Sequence, residues 1–326
     1  MQLFPGRTAY LLIIAVALVD AVWIAASPIT LPLHQLQPPI QLCVLFGLIA
    51  FAISRFMPMA GRFEEPLLRV GYFLQGLIFL QIAWIAMRLF NHLSMSSAFP
   101  YADDLLVRWD AAIGANWHAY FSFVQNHGTV RWLMDHSYTS LTFLSAIAFL
   151  VLIVQKDLRR ARYFLETFLV TAIVCTTIGM FFPAKAAVAT YFGDVGALPN
   201  FASLPGVYHL ESLERLRAAA PLTLNLSELP GLVTFPSFHT AAGILLVVSF
   251  WRTALFPVSL AYSTVMIGST PVFGGHYFVD LIAGAAVALA IAYAFATRPL
   301  YRDLFSRGGA AMAQPEPRPS ELSASG

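Results

Sequence analysis

PSFHT at residues 236–240 and GGHYFVD at residues 274–280 each stand at the entrance of an apolar run, and each places a histidine there. An aspartate at the centre of a membrane-spanning helix costs about 2.5–3.5 kcal/mol, so ionisable side chains are rare in such runs. Two histidines and one aspartate at the ends of two apolar runs therefore indicate a functional site between helices of a membrane protein.

The second stretch contains a histidine and an aspartate, His276 and Asp280, at a spacing of four. On a helix this spacing puts both side chains on one face, one turn apart. A carboxylate so placed fixes the tautomer of an imidazole and stabilises positive charge on its ring. His239 brings a second imidazole from another segment, which supplies acid or base help to a nucleophile. We predict that His239, His276 and Asp280 converge as catalytic residues.

The composition is that of a polytopic membrane protein. Hydrophobic residues make up 58% of the chain and charged residues only 11%, and the mean hydropathy is +0.70. A soluble domain carries about 25% charged residues. The net charge of +2 comes without any basic run interleaved with aromatic residues, so nothing points to a nucleic-acid partner. Cys43 and Cys175 lie in apolar runs and are expected as buried thiols rather than a disulfide.

The apolar runs predict an all-α bundle of about eight transmembrane helices, forming a single membrane domain over residues 1–306. A spanning helix needs about 20 apolar residues, with some spread in length. The first run has no small-residue cleavage site and is expected to be retained rather than removed as a signal peptide. The predicted spans are 8–26, 40–53, 70–90, 141–154, 164–182, 239–256, 258–268 and 277–296.

The placement of basic residues predicts the orientation. With the N-terminus inside, most of the 19 lysines and arginines fall on inner segments, as the positive-inside rule requires. The same topology puts His239 and His276 together at the outer face. We therefore expect an integral membrane protein, in a bacterial inner or plasma membrane, with its active site at the extracytoplasmic face.

Two long outer segments, 91–140 and 183–237, are predicted to form a lid over that face. The first mixes tryptophans with charged residues, which is typical of helices lying in the membrane interface. The last residues, 307–326, have the composition of a disordered tail. Asp20, inside the first span, is expected to serve helix packing.

Several residues beside the motifs are candidates for substrate binding. Ser237 suits a helix N-cap, and the free N–H groups at such a helix start favour an anion such as phosphate. Gly275 allows a ligand to approach the backbone closely. Lys185 follows the fifth span directly and is a candidate phosphate contact.

The two motifs resemble the second and third signatures of the type 2 phosphatidic acid phosphatase superfamily, whose usual forms are PSGH and SRxxxxxHxxxD. Here Phe238 takes the glycine position, Ser269 keeps the serine position, and Thr270 replaces the arginine. The first signature, a lysine with Arg-Pro seven and eight residues on, is absent, and Lys185 is the nearest candidate. The stretch LPGLVTFPSFHTAAG and the HYxxD form are similar to the inositol phosphotransferase branch, of the inositol phosphorylceramide synthase type.

This resemblance implies a six-helix phosphatase-type core, with the motifs within residues 164–296, and a reaction that needs no metal or other cofactor. His276 would attack phosphorus and form a phosphohistidine, Asp280 would hold its ring, and His239 would protonate the leaving oxygen and then activate the acceptor. Ser269 enters as a further substrate-binding candidate. The substrate would be a lipid phosphate in the membrane, and no protein partner is implied.

The sequence does not decide which molecule accepts the phosphate-containing group. Water would make the chain a lipid phosphate or polyprenyl diphosphate phosphatase, whereas a polyol or lipid hydroxyl would make it a head-group transferase. The form of the motifs favours transfer of the inositol-phosphate type.

Two readings from other classes also stay open. Two histidines and a carboxylate are the ligand set of a facial-triad iron site. A transporter or a structural membrane protein would use intramembrane polar groups as pathway or packing elements.

Overall fold

The computed structural model describes residues 2–193, 200–201, 205–218 and 220–305, and the predicted tail lies outside these ranges. Within them the chain is all-α, with one pair of two-residue parallel strands, β1 (Ile29–Thr30) and β2 (Leu222–Thr223). The α-helices are α1 (Arg7–Ala25), α2 (Gln37–Phe56), α3 (Glu64–Met95), α4 (Asp103–Ala112), α5 (Trp117–Asn126), α6 (Gly128–Thr139), α7 (Leu141–Val154), α8 (Leu158–Phe181), α9 (Ala187–Phe192), α10 (Leu210–Arg217), α11 (Phe238–Ser249), α12 (Phe256–Phe273), α13 (Phe278–Ala296) and α14 (Arg302–Phe305).

Each of the eight predicted spans contains a helix, and these helices are α1, α2, α3, α7, α8, α11, α12 and α13. This confirms the predicted all-α membrane bundle. By length and apolarity five helical stretches of the described chain can cross a membrane, and a sixth if α6 and α7, bent by 60°, count as one span. The five are Arg7–Ala25, Leu33–Phe56, Gly61–Met95, Leu158–Phe181 and Phe278–Ala296.

Helix α11 is shorter than the apolar run that predicted it. It ends at Ser249, whereas the run continues to residue 256. Twelve residues at about 1.5 Å each extend about 18 Å, well short of a hydrocarbon core of about 30 Å. The next helix, α12, is longer than its predicted run and reaches Phe273, directly before the second motif.

The two motif-bearing helices pack closely because α13 carries a glycine where it meets the start of α11. A Cβ built on Gly284 would lie 2.3 Å from the carbonyl oxygen of Ser237. That distance is far inside van der Waals contact, so only glycine permits this approach. The contact fixes the entrance of α11 against α13 one turn beyond Asp280.

The outer segments fold onto the connection between α12 and α13. Segment 91–140 contains the end of α3 and the helices α4, α5 and α6, and segment 183–237 contains α9, α10 and β2. An apolar cluster joins these elements to the second motif; it includes Trp117, Phe121, Val188, Phe273 and Tyr277. The outer segments therefore position the motif, in addition to any role as a lid.

Three side chains inside the bundle were noted from the sequence. Cys43 and Cys175 are both free; Cys175 is buried as expected, and Cys43 is only half-buried. Asp20 is buried, and neither of its carboxylate oxygens has a hydrogen-bond partner among the described residues.

Candidate active site

The two motifs are joined by backbone hydrogen bonding at the start of α11. Ser237 is fully buried, and its hydroxyl oxygen accepts the N–H of Thr240 at 3.3 Å as the N-cap of this helix. The N–H of Ser237 donates to the carbonyl oxygen of Asp280 at 3.0 Å. Ser237, two residues before His239, is thus hydrogen-bonded to the turn of the second motif that carries the Asp280 carboxylate.

His276 and Asp280 form a buried pair. The Nδ1 atom of His276 lies 3.1 Å from Oδ2 of Asp280, and the N–H of Tyr277 donates to the same oxygen at 3.0 Å. The other oxygen, Oδ1, has no partner among the described residues. An ionised Asp280 carboxylate only accepts, so in this contact Nδ1 carries the proton.

The environment of His276 favours the neutral ring. Burial lowers the pKa of His276 to about 4, and a backbone hydrogen bond to Thr234 offsets part of this effect. A neutral imidazole is the form that a nucleophile requires.

His239 stands opposite this pair, at the second residue of α11. Its ring is half-buried and stacks on Tyr138 with 4.3 Å between centroids and an interplanar angle of 14°. His239 and His276 are close enough to interact electrostatically. The structure thus brings His276 and Asp280 into contact and places His239 within electrostatic range of His276.

The described residues contain no group of three or more His, Cys, Asp or Glu side chains arranged to hold a metal ion. The facial-triad alternative therefore finds no ligand set in this part of the chain.

Of the predicted substrate contacts, Lys185 has an accessible side chain. Its ammonium nitrogen lies 5.2 Å from the centre of the Tyr101 ring, and the side chain is exposed. Its backbone is fixed instead, because its N–H donates to Asp103 and its carbonyl oxygen lies 3.0 Å from His209 Nε2.

The other two predicted contacts are engaged with the protein itself. Ser269 is fully buried, and its hydroxyl donates to the carbonyl oxygen of Met266 at 2.5 Å within α12. Gly275 has φ +67°, and a Cβ there would lie 2.3 Å from the carbonyl oxygen of Gly206. The close approach that Gly275 allows is made by the 183–237 segment of this chain.

Two carboxylates on α4 bind the residues that follow His276. They lie in the outer segment whose charged residues are predicted to sit in the membrane interface. Asp110 accepts the N–H of Phe278 at 3.0 Å and that of Val279 at 2.9 Å. Asp103 accepts the Tyr277 hydroxyl at 2.9 Å. Their spacing of seven, two helical turns, was the available signal that they share a face.

A third histidine, His209, is buried behind the site. Its Nε2 lies 3.0 Å from the carbonyl oxygen of Lys185, while Nδ1 has no partner among the described residues. Burial chiefly, with a contribution from His276, lowers the pKa of His209 to about 4. No local sequence pattern distinguishes His209 from the other histidines of the outer segments.

A family model described as the PAP2 superfamily matches residues 104–294, more than half of the chain. The chain belongs to the PAP2 superfamily. The matched region contains His239, His276 and Asp280, and the family is that of phosphatase-type enzymes. With the membrane-spanning helices, membership makes this chain an integral membrane enzyme of that type. Helices α1–α3 lie outside the match. No curated protein and no solved structure matched the chain.

Proposed function

We propose that this PAP2-superfamily enzyme transfers a phosphate-containing head group from a membrane lipid phosphate to a hydroxyl acceptor. The transfer would pass through a covalent phosphohistidine on His276 and need no metal ion. The observation that carries the proposal is the 3.1 Å contact between His276 Nδ1 and Asp280 Oδ2. This contact occupies one ring nitrogen, and we propose that the other attacks phosphorus.

The reaction proceeds in two balanced steps. In the first, Nε2 of His276 forms a bond to phosphorus while the bond from phosphorus to the leaving oxygen breaks, and His239 gives its proton to that oxygen. In the second, His239 takes the proton of the acceptor hydroxyl, whose oxygen attacks phosphorus and displaces His276. Asp280 stabilises the positive charge on the His276 ring between the steps. Acid–base help of this kind contributes typically ~10²–10⁴-fold.

We propose a polyol or lipid hydroxyl as the acceptor, in a transfer of the inositol-phosphate type. Two features support this choice. The motifs have the form of the inositol phosphotransferase branch, with Phe238 after Ser237. The site is also covered: His276 and Asp280 are buried, and Gly206 of the outer segment packs on Gly275. A covered site limits water, the competing acceptor. With water instead, the same residues make a lipid phosphate or polyprenyl diphosphate phosphatase.

We propose that the substrate phosphate meets the start of α11 at Ser237 and the ammonium group of Lys185, at the extracytoplasmic face of a bacterial inner or plasma membrane. The exposed Lys185 forms no ion pair within the described chain, which leaves its charge available to an anion. Ser269 and Gly275, by contrast, would act through packing.

The deciding experiment is incubation of the purified protein in lipid vesicles with a panel of labelled lipid phosphates, with and without inositol, followed by identification of the products. The proposal predicts that the label moves to a hydroxyl acceptor: to inositol, only when inositol is present, where the polyol is the acceptor, or to a second lipid where a lipid hydroxyl is. Replacement His276→Gln, which keeps the fold, should abolish it.

Other products would decide against the proposal in distinct ways. Equal release of free phosphate with and without inositol would favour the phosphatase. No consumption of any lipid phosphate by the intact protein would favour a transporter or a structural protein. Full activity of His276→Gln would overturn the mechanism.

A further inference from the structure

Helix α4 carries two buried carboxylates, Asp103 and Asp110. Both accept hydrogen bonds from residues that follow His276 in the chain. Asp110 is 1% exposed, and each of its oxygens accepts one backbone N–H, from Phe278 and Val279. These are the first two residues of α13, where N–H groups have no partner within the helix. A side chain from α4 thus caps the helix that bears Asp280.

Asp103 holds the adjoining loop from the same face of α4. It accepts the Tyr277 hydroxyl at 2.9 Å, together with the N–H groups of Lys185 and Ala186. The hydroxyl of Thr190 completes the set at 3.2 Å. The residue that follows His276 is therefore fixed to α4 by its side chain.

The backbone of His276 itself is held by the next helix. The indole N–H of Trp117, in α5, donates to the carbonyl oxygen of His276 at 3.2 Å. Trp117 is 2% exposed and stacks on Phe121 and Tyr191, so its ring has a fixed direction. The histidine is anchored at its own carbonyl by Trp117 and two residues later by Asp110.

Besides fixing the backbone near His276, the carboxylates of Asp103 and Asp110 contribute negative charge. Asp103 and Asp110 both interact electrostatically with Asp280, and none of the three has a Lys or Arg partner within ion-pair distance in the described chain. Preorganised negative charge stabilises the positive charge that develops on an imidazole when its nitrogen bonds to phosphorus.

We propose that Asp110, together with Trp117, is a positioning residue for phosphoryl transfer: it sets the direction of the His276 ring and of Asp280 without touching the substrate. This inference rests on the proposed function. A misplacement of about 1 Å in a reacting group costs up to roughly 100-fold in rate. Because Asp110 and Trp117 do not contact the substrate, we expect their replacement to lower kcat and to leave KM unchanged.

The test compares Asp110→Asn with Asp104→Asn in the purified full-length enzyme. Asp104 is its matched control, an exposed aspartate on the same helix. The asparagine at position 110 keeps the size, one acceptor oxygen and no charge. We expect Asp110→Asn to lower kcat roughly 10- to 100-fold with KM within about twofold, while Asp104→Asn equals the unchanged enzyme.

A second variant, Trp117→Phe, tests the same inference in case Asp110→Asn does not fold. Trp117→Phe keeps an aromatic ring for stacking and removes the N–H that binds His276 together with part of the indole, and it should lower kcat roughly 3- to 10-fold at constant KM. Monodispersity and the thermal midpoint are recorded for every variant.

The outcomes separate this inference from the proposed function. If the unchanged enzyme is active and His276→Gln is not, the proposed function stands. A folded Asp110→Asn or Trp117→Phe with unaltered kcat, or with a raised KM alone, would then overturn the positioning role. An unchanged enzyme that turns over no lipid phosphate would overturn both.

Discussion

At the residue scale, the proposed mechanism depends on how the imidazole ring of His276 is held in place. His276 is contacted at Nδ1 by Asp280, at its carbonyl oxygen by Trp117, and by neighbours that Asp103 and Asp110 bind. Each contact comes from a different turn of the chain. A free imidazole on a loop would sample many directions, and fixing one before substrate binds removes that entropy from the reaction barrier.

Arg88 of α3 is a further candidate, beside Lys185, for a cation that binds the substrate phosphate. Arg88 interacts electrostatically with Tyr208. The Tyr208 hydroxyl lies 3.0 Å from that of Tyr138, whose ring stacks on His239. Tyr208 and Tyr138 thus form a chain of interactions between Arg88 and His239, and from it we expect Arg88 to lie near the substrate phosphate.

Replacement Arg88→Ala is expected to raise KM for the lipid phosphate about 10-fold, since a hydrogen bond to a charged group contributes roughly 1.5–3 kcal/mol. Steady-state kinetics in mixed micelles would measure the change. Arg215→Ala is the control, because Arg215 is exposed and paired with Glu211 on α10. A KM that matches the control would remove Arg88 from the binding site.

The sequence allowed part of this site to be predicted. His239, His276 and Asp280 stand out because their signal is local: a spacing of four and a position at the end of an apolar run. Asp103, Asp110 and His209 do not, because their partners are distant in sequence. Asp110 reaches Phe278 across 168 residues and Asp103 reaches Tyr277 across 174, and no periodicity encodes such a contact.

At the element scale, the site is the junction of α11 and α13. Hydropathy predicted both helices but misplaced the end of α11, since the apolar run passes through Phe250 and Leu255, where the chain turns between helices. The turn includes Arg252 at φ +62°, a conformation that apolarity alone does not reveal. Hydropathy locates apolar segments, but backbone conformation determines where a helix within such a segment ends.

Replacement Gly284→Ala tests the junction directly. The added methyl would meet the backbone oxygen of Ser237, which cannot move aside as a flexible side chain would. We expect α13 to shift, with a loss of about 1–3 kcal/mol in the free energy of unfolding and a lower kcat. Thermal unfolding in detergent and turnover would measure both.

Gly47→Ala, in α2, is the matched control for that change. Nothing lies within 4 Å of a Cβ at this position, so the variant should retain full stability and activity. If Gly284→Ala behaved like Gly47→Ala, the close packing of α13 on the first motif would be refuted.

At the scale of the whole molecule, the family match and the fold divide the chain differently. The match begins at residue 104, whereas α3, which lies before it, packs against α8. The α1–α3 region therefore belongs to the same bundle and is expected to contribute to substrate binding.

The buried histidines predict how stability depends on pH. Burial lowers the pKa of both His209 and His276 to about 4, whereas an unfolded chain has a histidine pKa of about 6.5. Between these values the unfolded state binds protons that the native state does not. Stability is therefore full above about pH 6.5 and falls as the pH is lowered toward 4.

The measurement is the thermal midpoint in detergent at pH 7 and pH 5 for the unchanged protein and for His209→Gln. Glutamine keeps a donor for the Lys185 carbonyl and does not titrate. We expect a smaller loss on acidification for the variant. An equal loss in both proteins would show that His209 is not buried in its neutral form.

The central claim is that His276 becomes covalently bonded to phosphorus. The direct measurement is rapid quenching of the enzyme with a lipid phosphate radiolabelled at phosphorus, followed by peptide mapping under alkaline conditions. The account predicts acid-labile label on the peptide that contains His276, and none on that peptide in His276→Gln. Label on another residue, or turnover with no labelled protein at any quench time, would contradict it.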